Sequence, residues 1–426
     1  MNTQERNEII ALVKREVIPA IGCTEPIAVA LCVAKATEIL GCKPEKIEVD
    51  LSANVLKNAM GVGIPGTGMI GLPIAIALGA LIGKSDYQLE VLKDCTPEAV
   101  EAGKQYIEQK RIALRQNKET KEKLYIDVKC TAGTDYSRAI IASNHTHFVL
   151  VQRNEEVLLQ NDVKAAEATA QNDVQLSMAK VYDFAINSPL EEIAFIEDAA
   201  RLNTAVAEAS LKGNYGHALG KTLQGKLEKE VLGDTIFTRM VSYTSAACDA
   251  RMVGAMIPVM SNSGSGNQGI SATMPVVVYA RENNKSHEEL IRALMLSHLT
   301  VIYIKQTLGR LSALCGCVVA STGSACGLTY LMGGNFEAVC YAVKNMIASL
   351  TGMICDGAKP SCAFKVSSSV SAAVFSALMA VENKTVTSVE GIIAQDVDDS
   401  IRNLTEVGRD GMLETDRLIL DIMLKK

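Results

Sequence analysis

The chain has 426 residues and a net charge of -6, with no long basic run, which argues against a nucleic-acid-binding surface. Hydrophobic residues make up 48% of it, ample for a globular core. Aromatics are only 4% and Trp is absent, so that core must be built from Ala, Val, Ile, Leu and Met, a composition that favours closely packed helices.

Residues 1–6 are polar and carry no signal-peptide apolar region. The spacing of Ile9, Leu12, Val13 and Val17 predicts a helix over 4–18, closed by Pro19. The run Gly22-Cys23-Thr24-Glu25-Pro26 leads into an apolar helix over about 27–40, with Thr24 suited to the N-cap and Pro26 to the first turn. Cys23 then sits just before a helix N-terminus, where the dipole lowers a thiol pKa and makes a reactive group. A buried structural cysteine is the plainer reading. Ile47, Val49 and Leu51 alternate, predicting a strand over 46–52. Residues 61–68 are Gly-rich but form neither a Walker A loop nor a GxGxxG fingerprint. They read as a turn before an apolar helix over about 69–83, or as an anion-binding nest. That apolar run holds Pro73 and is shorter than the roughly 20 residues a spanning helix needs. The expectation is a cytoplasmic chain with no membrane partner, although its hydrophobicity keeps a small transporter as a competing reading.

Thr96-Pro97-Glu98 opens a predicted helix over 96–114, and 115–122 is charged and loop-like. Strands are expected over 124–130 and 137–152, around a turn at 131–136. His145 and His147 lie two apart, so on a strand they share one face, an arrangement that suits a metal or an acid/base pair. From about 170 the pattern is helical, and Asn187-Ser188-Pro189 marks a helix start. A domain change is placed near 185. The expected fold class is α+β: an N-terminal α/β domain over 1–185 with a mostly antiparallel sheet, then a mainly helical domain over 186–426 carrying the cysteine cluster. Helices are expected at about 190–210, 216–230 and 234–256. The small polar run 260–269 is costly to bury without a partner. Backbone N–H groups freed by Gly264, Gly266 and Gly269, with the side chains of Ser263, Ser265 and Asn267, fit a carboxylate-binding loop; a surface loop is the alternative. Further helices are predicted over 287–312, 314–333, 336–353, 366–381 and about 413–424.

Twelve cysteines in a large chain of this kind read as reduced thiols. Cys32, Cys248 and Cys340 sit among Ala and Val and look like core residues. Cys315 and Cys317 precede a helical run, and Cys355 and Cys362 bracket a loop broken by Gly357 and Pro360. Soft thiolates so gathered point to a metal or iron–sulfur site. Cys315 or Cys317, with Cys355 and Cys362, gives three thiolates from different elements, which would leave one iron of a 4Fe-4S cluster open. Paired CxxC motifs are absent, disfavouring structural zinc. Structural thiols alone are the competing reading.

Taken together, Gly22-Cys23-Thr24-Glu25-Pro26, the run from Ser263 to Gly269, Cys315-Gly316-Cys317 and Cys355-x6-Cys362 resemble the L-cysteine desulfidase family. That family is related to the alpha chain of iron–sulfur L-serine dehydratases. The resemblance spans nearly the whole chain. It implies an oxygen-sensitive 4Fe-4S cluster, no pyridoxal phosphate, and an α,β-elimination of a small amino acid, with L-cysteine giving sulfide, ammonia and pyruvate. Cys355 and Cys362 match two cluster ligands, and the third falls at Cys315 or, close behind, Cys317. Cys23 stands where the dehydratases carry a His, which suits a thiolate base taking the α-proton. His145 and His147 match a His-bearing motif near the dehydratase site. Thr24, Ser263, Gly264, Ser265, Gly266 and Asn267 fall in the substrate-binding segments, and Lys57 and Asn58, in the turn-rich first half, are further candidates to face the site. An L-serine dehydratase-like deaminase and a non-catalytic ligand-binding relative are the alternatives. The sequence leaves a homo-oligomer open.

Overall fold

The computed structural model describes residues 1–163, 173–309 and 311–425. After helix α1 (Thr3–Glu16) and the two-residue strand β1 (Pro19–Ala20), the chain enters the apolar helix α2 (Thr24–Leu40). Strand β2 (Lys46–Leu51) follows, with Ile47, Val49 and Leu51 fully buried on one face, as its alternation requires. Short helix α3 (Ala53–Ala59), helix α4 (Leu72–Leu81) and helix α5 (Pro97–Glu108) come next. Thr96 caps α5 by accepting from Ala99 N.

The sheet then completes itself through β3 (Ile112–Gln116), β4 (Tyr125–Ala132), β5 (Asp135–Ala142), β6 (Phe148–Arg153) and β7 (Glu156–Gln160). Its order is β3-β2-β4-β5-β6-β7, antiparallel throughout except for the parallel β2–β3 pair. Helix α2 lies on β4 and β5, and α4 packs over α2. This is why α4 is apolar all round and α2 is buried from Thr24 to Ala34, with Lys35 and Glu38 left at its outer end. Two strands depart from expectation. Residues 112–116 form an edge strand rather than the end of a helix, and 156–160 add a hairpin strand. His145 and His147 also do not lie on a strand. Ser143, at φ 65, turns the chain, and His147 N bonds Asn144 O, so 143–147 is the β5–β6 connection. The expected onset of helix near 170 lies outside the described residues.

Beyond it come α6 (Met178–Asn187), α7 (Glu197–Lys212), α8 (Ile236–Met252), strand β8 (Val259–Met260), α9 (Gly266–Glu282), α10 (His287–Leu308), α11 (Gly316–Leu331), α12 (Phe336–Leu350), α13 (Cys362–Val381), α14 (Val397–Glu406) and α15 (Leu413–Leu424). Helices α9, α10 and α11 form the centre of this part. At Gly323 an added Cβ would lie 2.4 Å from Ser297 O, so glycine is what lets α11 approach α10 so closely. Buried hydroxyls here bond backbone carbonyls within and between helices: Ser297 Oγ donates to Ala272 O at 2.7 Å and Thr322 Oγ1 to Val318 O at 2.8 Å.

The protein is thus a mixed α+β fold with a six-stranded sheet and a larger helical part. The chain ends cross between the two cores. Ile9, Leu12 and Val13 of α1 join the helical core, and Leu420 of α15 joins the core beneath the sheet. Among the described residues one helix, Cys362–Val381, is long and apolar enough to cross a membrane by length and composition. Here it packs on α8, α11 and α12.

Candidate active site

Strand β1 pairs with β8, Pro19 opposite Met260 and Ala20 opposite Val259. The pairing continues as Ser261 N to Ile18 O at 2.9 Å and Ser263 N to Glu16 O at 3.0 Å. This stitch lays the Gly22–Glu25 turn beside the Ser263–Gly269 run, some 240 positions away. Gly22 has φ +73, and an added Cβ would lie 2.4 Å from Pro65 Cγ, so only glycine fits the bend. Cys23, not Thr24, is the N-cap of α2. Thr24 Oγ1 instead lies 2.9 Å from Gly264 O and 3.1 Å from Glu25 Oε2, tying the two segments together.

A second stitch arranges the late cysteines. Leu314 bridges Ile354, with Cys315 N donating to Met353 O at 3.0 Å and Cys355 N to Ala313 O at 2.6 Å. Cys315 is the N-cap of α11, and Cys362 is the first residue of α13. Gly357, at φ +88, lets the loop press on α3, where an added Cβ would lie 2.4 Å from Lys57 O. Lys57 Nζ donates to Cys355 O at 3.3 Å and pairs with Asp416 of α15.

These stitches converge. Cys23, Cys315, Cys317, Cys355 and Cys362 all line one cavity of about 110 Å³. Thr24, Gly264, Ser265 and Asn267 line it too, whereas Ser263 and Gly266 do not. Ser263 lines a separate hollow of about 500 Å³, together with His147. His145 is buried and close enough to Glu25 to act on its charge. The two histidines therefore part company, because a turn, unlike a strand, sends them in different directions.

The thiols differ in character. A hydrogen bond from Cys317 brings Cys315 down to about 7 against the opposing effect of burial, with help from the nearby Lys365 and Lys359 ammonium groups. Cys317 is pushed well up by Cys315 and by burial. Burial pushes Cys355 up to about 11 and raises Cys362 as well. Cys248, a core residue by sequence, is fully buried and feels Cys362 and Cys315 electrostatically.

Cys23 overturns one expectation. Its thiol is raised well above the ordinary range, by burial first and then by the Glu25 carboxylate. The dipole of α2 does not prevail. Glu25, although burial opposes its ionisation, is held below its ordinary value by His145, by the hydrogen bond from Cys23 and by Arg251. Cys23 Sγ lies 3.0 Å from Glu25 Oε2, and Asn58 Nδ2 donates to Glu25 Oε1 at 3.1 Å. The pair is a neutral thiol on an ionised carboxylate.

Sequence reasoning assigned no role to Glu25 or Arg251. Glu25 had a signal: it is the single acid in the first turn of α2, with no other charge before Lys35. Arg251 had none, since a basic residue in a helix's last turn is ordinary. Yet it is only 3% exposed, lines the cavity, and donates from Nη1 to Asn267 Oδ1 at 3.1 Å.

Among the described residues, no three His, Cys, Asp or Glu side chains stand close enough to hold a single metal ion. The four late cysteines share a cavity wall without converging on one point.

The family described as serine dehydratase alpha chain matches residues 86–421. A UPF0597 protein of Bacteroides fragilis is 69% identical over 426 residues, covering all of both chains. One from Bacteroides thetaiotaomicron is 68% identical over 426 residues, covering 100% of this chain and 99% of its own. A UPF0597 protein of Photobacterium profundum is 48% identical over 430 residues, again covering both in full.

Proposed function

The chain belongs to the serine dehydratase alpha chain family, and on that premise we propose that it is an iron–sulfur-dependent amino acid α,β-lyase acting on L-cysteine. The observation that carries the reading is the single cavity onto which four motifs far apart in sequence open, with five thiols on its wall. The donor set suits a cluster better than a lone ion. A 4Fe-4S centre brings its own sulfides and takes thiolates spread around it, whereas one ion needs them close together. Cys315, Cys355 and Cys362 would hold it, each at or beside a helix N-terminus or backbone bridge that fixes its position. Bound there, an open iron would supply Lewis-acid chemistry to the substrate's carboxylate or leaving group.

The protein's own residues supply the rest. Glu25 is the acceptor for the Cys23 proton; with the thiol raised and the carboxylate lowered that transfer runs uphill, and the small thiolate population it makes takes the substrate's α-proton. The β-sulfur departs as hydrosulfide with the electrons of the C–S bond. The aminoacrylate left behind hydrolyses in water to pyruvate and ammonia. Burial of Cys23 keeps bulk water from competing for that proton transfer. Thr24 fixes the carboxylate of Glu25 and anchors it to the glycine run through Gly264. Localisation in the cytoplasm is part of the same reading, since oxidising surroundings would couple exposed thiols.

The family match favours a second reading, dehydration of L-serine. Hydroxide is a far poorer leaving group than hydrosulfide, so that reaction demands more of the Lewis acid. One experiment tests both: anaerobic purification with iron and sulfide counting, then a sulfide assay on L-cysteine and a pyruvate assay on L-serine. About four irons per chain with sulfide release supports the first reading. Pyruvate from L-serine alone moves the assignment to the second, and iron-free protein without turnover defeats both.

A further inference from the structure

Three residues of the cavity wall each carry a buried polar atom that has no use in the chemistry above. Arg251 Nε, Asn58 Oδ1 and Gln268 Oε1 lack hydrogen-bond partners, and all three residues line the cavity. Arg251 forms no ion pair with a carboxylate among the described residues; its single hydrogen bond goes to a neutral amide, that of Asn267. The buried guanidinium acts on the Glu25 carboxylate across the cavity without pairing with it, so an incoming anion that bonded it directly would relieve the cost of its burial.

The two amides are oriented by their other ends. Asn58 Nδ2 faces the Glu25 carboxylate at 3.1 Å, and Gln268 Nε2 faces Asn262 O at 3.3 Å. Both partners accept only, so in each case the nitrogen is spent and the oxygen is left over. A donor cation and two orphaned acceptors thus share a wall with an ionised carboxylate.

The glycines of two motifs make room for these groups. An added Cβ at Gly266 would lie 2.2 Å from Arg251 Nε, and one at Gly316 would lie 3.1 Å from Gln268 Cγ. The glycine run serves the guanidinium at least as much as it offers its own N–H groups.

We infer that Arg251 receives the carboxylate of a zwitterionic α-amino acid, and that Asn58 and Gln268 receive its ammonium group. The inference rests on this cavity being the substrate site, as proposed above, and it fixes the substrate class by its two charged ends rather than by its leaving group. A compound with only one of those ends satisfies only half of the wall.

L-Alanine is the probe, because it has both ends and no β leaving group. Ethylamine and propionate each keep one end. On anaerobically prepared protein, L-alanine should raise the melting temperature, and ethylamine and propionate at equal concentration should not. R251Q should abolish that rise, R251K should retain part of it, and Q268L should weaken it. All three should keep the iron content of the parent. The KM for L-cysteine should climb about 10- to 100-fold in R251Q, the worth of one charge-assisted hydrogen bond. An unchanged L-alanine response in R251Q overturns the inference. So does loss of iron in both R251Q and R251K, which would make Arg251 the counter-charge of the thiolates. If L-alanine binds through Arg251 but no amino acid is turned over, the lyase reading fails while this one stands.

Discussion

Cys23 Sγ and Glu25 Oε2 lie 3.0 Å apart at the buried start of α2, two residues that share one proton. The thiol keeps it and the carboxylate waits to receive it. If the two act as a unit, either substitution alone removes the function of both. Cys23→Ala and Glu25→Gln should each lower kcat by about 10²- to 10⁴-fold. The double variant should be no slower than the worse single one. Iron and sulfide counts should match the parent in all three. A Glu25→Gln enzyme with full kcat would show that Cys23 loses its proton without that carboxylate.

Cys315 and Cys317 divide their roles by acidity. Cys315 is brought down and Cys317 pushed up, so Cys315 is the one ready to ligate. Replacing Cys315, Cys355 or Cys362 by Ser should each remove the visible absorbance of the cluster and most of the iron. Cys317→Ser should retain both, because its thiol is held protonated and is not one of the three that would ligate. Iron counts under anaerobic conditions decide the matter, and an iron-free Cys317→Ser protein would exchange the two assignments.

Lys57 is 1% exposed and pairs with Asp416, whose side chain is 18% exposed, while its Nζ also reaches Cys355 O. The pair pins α15 and the Cys355 loop to α3. Asp416→Asn leaves the buried ammonium without its counter-charge, a loss of about 3–5 kcal/mol for buried pairs. Urea denaturation should show that loss. The same variant should release iron faster than the parent when exposed to a chelator, because the carbonyl of a ligand residue is one of the contacts Lys57 orders.

Much of this fold was legible because its signals are local. The alternation of Ile47, Val49 and Leu51 marked β2, and the apolar stripe at 413–424 marked α15 at its observed bounds. The two missed strands, Ile112–Gln116 and Glu156–Gln160, are the sheet's edges. Neither buries one whole face, so neither carries a clean alternation. The Gly61–Gly68 run shows a different limit. Gly63 N donates to Met252 O at 2.9 Å, and an added Cβ on Gly63 would lie 2.2 Å from the carbonyl carbon of Val253. Its glycines serve a backbone approach to a residue nearly 200 positions away, which composition cannot distinguish from an anion nest. Glu25 and Arg251 were invisible as a working set for the same reason. Burial without an ordinary partner is a property of the assembled wall.

His298 offers a test of the scaffold behind that wall. It is fully buried, and burial lowers its pKa from 6.5 to about 3. Its Nδ1 faces Asn262 Nδ2 at 3.0 Å, a donor, so Nδ1 accepts and the ring proton sits on Nε2. That proton points to Thr273 Oγ1 at 3.0 Å, whose own hydroxyl donates to Gly269 O at 2.7 Å. Both ends of the glycine run thus lean on a neutral imidazole. The unfolded chain binds a proton at this residue below pH 6.5, and the folded chain does not until far lower. Stability contributed here is therefore complete above pH 6.5 and lost as the pH falls, by about 1.4 kcal/mol per unit. Burial raises Asp249 to about 6, inside the same range, but that group is common to both proteins and drops out of their difference. Urea midpoints for the parent and for His298→Gln, compared from about pH 7 down to about pH 5, isolate the term. The variant should be the less stable protein at pH 7, since its amide cannot serve both Asn262 and Thr273. The gap should close as the pH drops, and a gap that stays constant would mean that His298 is protonated in the folded protein.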